Sequence, residues 1–544
     1  MPRNVARLLI YLRKTGRRFE NFGIFRVWIF AIIIGAAAAY AVIGFRFAID
    51  IVSELAFGAT EENVASGAAS LSFGRAWAAP VLGGLVVSAI LYLADRFGWL
   101  KSGRAQGIAD VIEARAVTGG QISLRAGMAA AAVSAVSLGS GASAGREGPA
   151  VHLGATIASF LDRHMGFSAK QRRALLGCGA AAAVSASFNA PVAGVLFALE
   201  VILGNYALSV FGPIAAASVT ATIVTRIHLG NFPAFIPPEY GAISPVDVPL
   251  AAFLGIICGL VASGFLQSTE RLTVGVRNMA EKYKFSPLLL PPLGGAIVGL
   301  IGAFFPEVFG VGYEAVTKAL AGEYSIFLLT VLLIMKLTAT AITLSCKFGG
   351  GVFSPGLVLG AFSGAAFGAV VSQMFPGATA SPGFYAMIGM GAAGGAILGA
   401  PISTTLIVFE MTGEYGITIA LMVAVAISTV MTQWLCGQSF FHWQLSRRGY
   451  DLSEGPHGVL LQTIRVREVM EAMPPGAPLS PDAERLVASH SLGEALAQLT
   501  EANQHGLPVV DPDEREKVVG YLSRVKALAA YNKAMIDQNI EHHT

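Results

Sequence analysis

Residues 139–154 read GSGASAGREGPAVHLG and place an adjacent Arg146–Glu147 pair between glycines, two residues ahead of Pro149. Proline is favoured at the first position of a helix, and glycines before it allow backbone conformations that present N–H groups. A helix opening there offers roughly half a positive charge and unpaired donors to whatever lies ahead, which makes an anion site without a full cation. Glu147 can lay its own carboxylate in that nest and so compete with a free anion. Protonation would remove its charge and vacate the seat. One residue can thereby act as a gate and couple proton uptake to anion occupancy, whereas simple pairing with Arg146 is disfavoured because adjacent side chains at a turn point apart.

The chemistry recurs further along the chain. GREGPAVHLGA (145–155) superimposes on GVFSPGLVLGA (351–361) at an offset of 206, and FNAPVAGVLFALE (188–200) on LGAPISTTLIVFE (398–410) at 210. Two matches in the same order at similar offsets indicate an ancestral duplication. Four prolines then open helices: Pro149, Pro191, Pro355 and Pro401. Membrane repeats of this kind meet near the midplane, where broken helices aim their ends at a shared site. Glu200 and Glu410, each nine residues beyond its proline, read as structural, and His152 as an interior hydrogen-bonding side chain.

The elements that must hold these motifs are membrane helices. The 544 residues are 54% hydrophobic and 13% charged, against about 25% charged in soluble proteins. Uncharged runs at 27–45, 76–94, 174–199, 248–269 and 285–306 approach or exceed the roughly 20 residues needed to span a bilayer. Between Phe348 and Phe409 lie 62 residues without Asp, Glu, Lys or Arg, rich in Gly and Pro, and expected to form several broken or re-entrant helices. Arg3, Arg7, Arg13, Lys14, Arg17 and Arg18 precede the first span, which places the N-terminus in the cytoplasm of a cell (plasma or inner) membrane, and Arg447 and Arg448 place the C-terminus there too. No cleavable signal is evident, because the first apolar run is span-length. The net charge of +3 points to no nucleic acid, and the four scattered cysteines to neither a disulfide framework nor a metal.

GSGASAGREGP together with GGGVFSPG resembles the paired G-[KR]-E-G-P and G-x-F-x-P motifs of the CLC family of chloride channels and proton-coupled chloride transporters. The resemblance implies an all-α polytopic fold of two inverted repeats with broken and re-entrant helices, over residues 25–446 (roughly 25–230 and 248–446), assembled as a homodimer in the lipid bilayer. It makes Glu147 the gating and proton-coupling residue. Anion sites would be lined by backbone amides of Arg146, Glu147, Gly148, Val352 and Phe353. The implied function is exchange of protons for chloride and similar monovalent anions; a passive voltage- or pH-gated channel is the alternative, and a fluoride exporter a third reading. No cofactor is implied.

Three positions depart from the family pattern. Gln106, in RAQGIADVIEA, stands where the family commonly has a serine on the central anion, and Phe441 where it has a tyrosine. Val201 follows Glu200 where some family antiporters carry a second glutamate, so the inner proton site is lost.

A basic segment (1–24) precedes the membrane region, and a linker (447–463) leads to a soluble stretch (464–531) that resembles one CBS module of small α+β type, followed by a tail (532–544). Its Asp511–Pro512–Asp513 turn joins two apolar strand patterns, and Lys526 replaces a frequent acidic residue, which argues against nucleotide binding. An intramembrane enzyme would need a nucleophile–base pair, metal cluster or cofactor fingerprint that the glycine motifs lack. A mere membrane anchor for a sensory tail would not need matched Gly–Pro nests. Because two hydroxyl donors are replaced, the pair Gln106→Ser with Phe441→Tyr should sharpen discrimination among chloride, bromide and nitrate in liposome flux; unchanged relative fluxes would assign the order to backbone donors alone.

Overall fold

The computed structural model describes residues 3–100, 103–163, 165–231, 244–377, 379–413, 416–450, 461, 464–473, 484–512 and 517–543, with side chains from Phe25 to Lys533. The basic side chains of the first 24 residues, most of the expected linker and Asp513 lie outside the described residues. The chain divides into two compact units, residues 1–440 and 441–544.

The first unit is all helix apart from its connections. Eight helices among the described residues are long and apolar enough to cross a membrane, from Phe25–Phe57 to Thr418–Ser446. The 62-residue uncharged run forms three helices, Phe353–Met374, Pro382–Leu398 and Pro401–Thr412, of which only the first has span length.

The duplication is visible as matched geometry. In the first repeat, Glu147–Asp162 packs on Ala169–Phe188, and in the second Phe353–Met374 packs on Pro382–Leu398. A Cβ on Gly154 would collide with the carbonyl of Gly179, and one on Gly179 with the carbonyl of Gly154; Gly360 and Gly389 stand in the same mutual relation. Only glycine lets these backbones approach so closely, which is how apolar helices gain packing contact inside a bilayer. The second helix of each pair ends on a left-handed residue, Asn189 (φ 56°) or Gly399 (φ 68°), and an extended alanine leads into the next helix at Pro191 or Pro401.

Pro191 and Pro401 occupy the first helical position as expected, but the other two helices begin earlier, at Glu147 and Phe353. Pro149 and Pro355 are therefore third residues, and the exposed turn contains Glu147 and Gly148, or Phe353 and Ser354. A proline fits there because the N–H it lacks would have no partner in the first turn.

Nor do all four helix ends face one shared site. Glu200 accepts hydrogen bonds from the N–H groups of Ile402 (3.1 Å) and Ser403 (2.7 Å), and Glu410 from those of Val192 (3.0 Å) and Ala193 (2.7 Å). Each repeat caps the proline helix of the other. Such exchange, in which i meets j and j meets i, is the signature of a two-fold relation. The helix bearing Glu200 widens to a π-turn over Ala198–Leu203, which also contains the half-buried Val201.

The second unit holds a three-stranded sheet. Strand β1 (Leu486–Val487) pairs parallel to β2 (Gly506–Val510), which pairs antiparallel to β3 (Val518–Ser523). The parallel pair needs a crossover, and helix Leu492–Glu501 supplies it, burying Leu492 and Leu499 against Leu486, Leu507, Val509 and Leu522. A capping box starts that helix, and the N–H and hydroxyl of Ser491 hold the Glu494 carboxylate below its usual range. Phe441 falls at the start of this unit, buried on the helix Phe440–Ser446.

Removing either capping carboxylate orphans one buried N–H, of Ser403 or Ala193, at a cost of about 1–3 kcal/mol. Glu200→Leu and Glu410→Leu should therefore lower thermal stability in detergent by similar amounts. A large loss from one alone would contradict the two-fold exchange.

Candidate functional site

With two of the four helix ends capped by glutamates, the remaining two meet each other. Gly145 donates to the carbonyl of Gly351 (2.7 Å) and Gly351 to that of Gly145 (2.6 Å), an isolated antiparallel bridge joining the two loops. The N-termini of Glu147–Asp162 and Phe353–Met374 are thereby held side by side. A Cβ on Gly351 would lie 3.0 Å from the N of Gly148, a contact tight enough that the two loops would have to part by a few tenths of an ångström.

Glu147 is 2% exposed, at the first position of its helix. Its Oε1 accepts a hydrogen bond from the hydroxyl of Tyr313 at 3.1 Å, while Oε2 is buried with no hydrogen-bond partner within the protein. The space beside Gly145 locates that orphan oxygen: a Cβ there would stand 2.8 Å from Glu147 Oε2 and 3.1 Å from the N of Ser354. The carboxylate thus lies where both helix N-termini converge. Gly148, Val352 and Phe353 are all buried around it, and the Phe353 ring packs on Phe188 with centroids 5.0 Å apart.

Arg146 is not the partner of Glu147. Its Nη1 lies 2.6 Å from Glu61 Oε2, whereas its Nε is 4.0 Å from Glu147 Oε1, and its guanidinium sits 4.9 Å over the Tyr313 ring. The buried Arg146–Glu61 pair is formally neutral, which leaves Glu147 as the net charge of the cluster. Arg146 and Tyr313 also line a cavity of about 690 Å³, bordered by Arg46, Glu62, Glu314 and Lys318. Its lining thus carries charges of both signs.

Sequence reasoning did not find Glu61 or Tyr313. Glu61 lies 85 residues from Arg146, and Tyr313 lies 166 residues from Glu147. The available signal was an acid in a short turn between spans, and a tyrosine after FGVG, whose Gly310 and Gly312 both have positive φ. Gln106 precedes helix Ile108–Val117, and its Oε1 is buried without a hydrogen-bond partner. Phe441 belongs to the other compact unit, so the first unit's geometry does not join it to Glu147. Among the described residues, no group of three or more His, Cys, Asp or Glu could hold a metal ion, and the four cysteines are free.

Fold and site together define a polytopic helical membrane protein of two inverted repeats whose buried centre is a pair of helix N-termini. Residues 83–433 match the family described as voltage gated chloride channel. A ClcB-like protein of Ralstonia nicotianae is 33% identical over 396 residues, covering 72% of this chain and 90% of that protein. The Arabidopsis thaliana chloride channel protein CLC-f is 30% identical over 419 residues, 73% of this chain and 52% of the plant protein, so the chain spans about half the length of that relative. The solved structure of a slow cyanobacterial Cl⁻/H⁺ antiporter has a TM-score of 0.67 at 24% identity, covering 78% of this chain and 98% of that one. The chain belongs to the CLC family of multi-pass membrane proteins that transport anions.

The crowding around Gly145 yields a test. Gly145→Ala forces its new methyl against Glu147 Oε2 and the N of Ser354, an overpacking worth about 1–3 kcal/mol. Gly44→Ala, in a helix interior where no atom lies within 4 Å of the new methyl, should be neutral to stabilising by up to about 1 kcal/mol in the same thermal-unfolding measurement.

Proposed function

We propose that this protein exchanges protons for chloride and similar monovalent anions, with the Glu147 carboxylate as the gate and the proton-coupling group. The observation that carries the reading is the orphaned, buried Oε2 of Glu147 at the meeting point of two helix N-termini. Insertion scales put a bare acid at mid-membrane at about 2.5–3.5 kcal/mol, and it persists only where dipoles replace water. Those same dipoles would hold a halide. Protonation neutralises the carboxylate, the nest no longer retains it, and an anion takes the seat. The family membership and the antiporter among similar folds support this reading.

The homodimer, a cell-membrane location with both termini cytoplasmic, and a CBS-like role for residues 464–531 belong to the same proposal; nucleotide binding does not. One observation favours passive conduction instead: Val201 offers no carboxylate for an inner proton relay. Purified protein in chloride-loaded liposomes separates the two readings when efflux and external pH are recorded together. Alkalinisation driven by the chloride gradient establishes exchange, and robust efflux without it establishes a channel.

Glu147→Gln, which mimics the protonated acid, should keep or raise anion flux and abolish its dependence on pH. A folded variant that retains wild-type pH dependence would remove Glu147 from the role of gate.

A further inference from the structure

The side chain touching the gate carboxylate is one that no motif marked. Tyr313 opens the short helix Tyr313–Leu320 and donates its hydroxyl to Glu147 Oε1 at 3.1 Å, and the same residue also lines the cavity of about 690 Å³. One side chain therefore touches both the buried carboxylate and the lining of the polar cavity.

The surroundings hold it there. The preceding loop turns through Gly310 (φ +58°) and Gly312 (φ +92°) and is pinned from within the membrane by Lys336. That fully buried lysine gives hydrogen bonds to the carbonyls of Val308 (3.0 Å) and Gly310 (2.9 Å). On the other side, the Arg146 guanidinium lies over the Tyr313 ring. A cation on the ring face draws electron density from the phenol and makes its O–H a stronger donor. Arg146 itself is engaged by Glu61 at 2.6 Å, whereas the Tyr313 hydroxyl bonds the Glu147 carboxylate directly.

We propose that the Tyr313 hydroxyl is a ligand of the transported anion, donating to Glu147 when the carboxylate fills the seat and to the halide when it does not. The proposal rests on the competition between Glu147 and the anion set out above. A phenol at neutral pH carries one O–H to give, and a carboxylate oxygen and a halide both accept it. Tyr313 would thus supply, beside Glu147, a hydroxyl donor of the kind Phe441 lacks. It also gives the carboxylate a hydrogen bond of the charge-assisted kind.

The test measures chloride binding by calorimetry on the full-length protein in detergent. Glu147→Ala empties the seat; adding Tyr313→Phe should weaken chloride binding about 3- to 10-fold, the effect of one hydrogen bond to an ion. This double variant removes both members of the Tyr313–Glu147 bond, so it remains informative if Tyr313→Phe alone fails to fold. In liposomes, Tyr313→Phe alone should change the chloride-to-nitrate flux ratio. The other ionisable groups interacting with Glu147 are Arg146 and Glu61, and neither is altered by the substitution. If Glu147→Ala itself binds no chloride, the anion-seat reading falls and this inference with it. If it binds chloride with an affinity that Tyr313→Phe leaves unchanged, the inference alone is overturned.

Discussion

Inside a bilayer a helix end carries N–H groups that no water will meet, and the architecture follows from how those groups are satisfied. Two of the four repeat-related helix ends are closed by carboxylates exchanged between the repeats, Glu200 onto Ile402 and Ser403, Glu410 onto Val192 and Ala193. The other two are clamped together through the Gly145–Gly351 bridge. The same two-fold exchange that makes the fold self-consistent leaves one place where donors converge without a permanent partner for every acceptor, and Glu147 occupies it.

The charge arrangement at this place is economical. Arg146 and Glu61 form a buried ion pair, and Lys336 spends two of its donors on carbonyls in the loop before Tyr313. Among the described residues, the one full cation at salt-bridge distance from Glu147 is Arg146, whose Nε approaches to 4.0 Å. Attraction by dipoles and a hydroxyl is weaker than attraction by an unpaired cation. The proposed exchange would need that balance, since an ion must enter readily and also leave.

Close helix packing supports the balance. The Gly154–Gly179 and Gly360–Gly389 crossings bring backbones into contact and fix the directions of the two helices that end at the site. A side chain at any of these positions would spread the pair and shift the helix ends away from each other. The glycine-rich composition thus positions the site as directly as the residues that line it.

The sequence by itself determined the membrane class, the paired Gly–Pro motifs and the duplication, because these depend on local composition, on spacing within a helix turn and on the repeat of one motif order along the chain. It also marked Glu200 and Glu410 as structural, although not what they cap. Only the tertiary structure decided which helix ends stay open, that Arg146 belongs to Glu61, and that Tyr313 touches the Glu147 carboxylate. Those pairings join residues 85 to 218 positions apart, so they depend on how the repeats dock and leave no periodic trace along the chain. The helix starts at Glu147 and Phe353, two residues ahead of their prolines, were decided in the same way: the bridge between Gly145 and Gly351 fixes where each loop ends, and a proline alone does not say which residue of the first turn it will be.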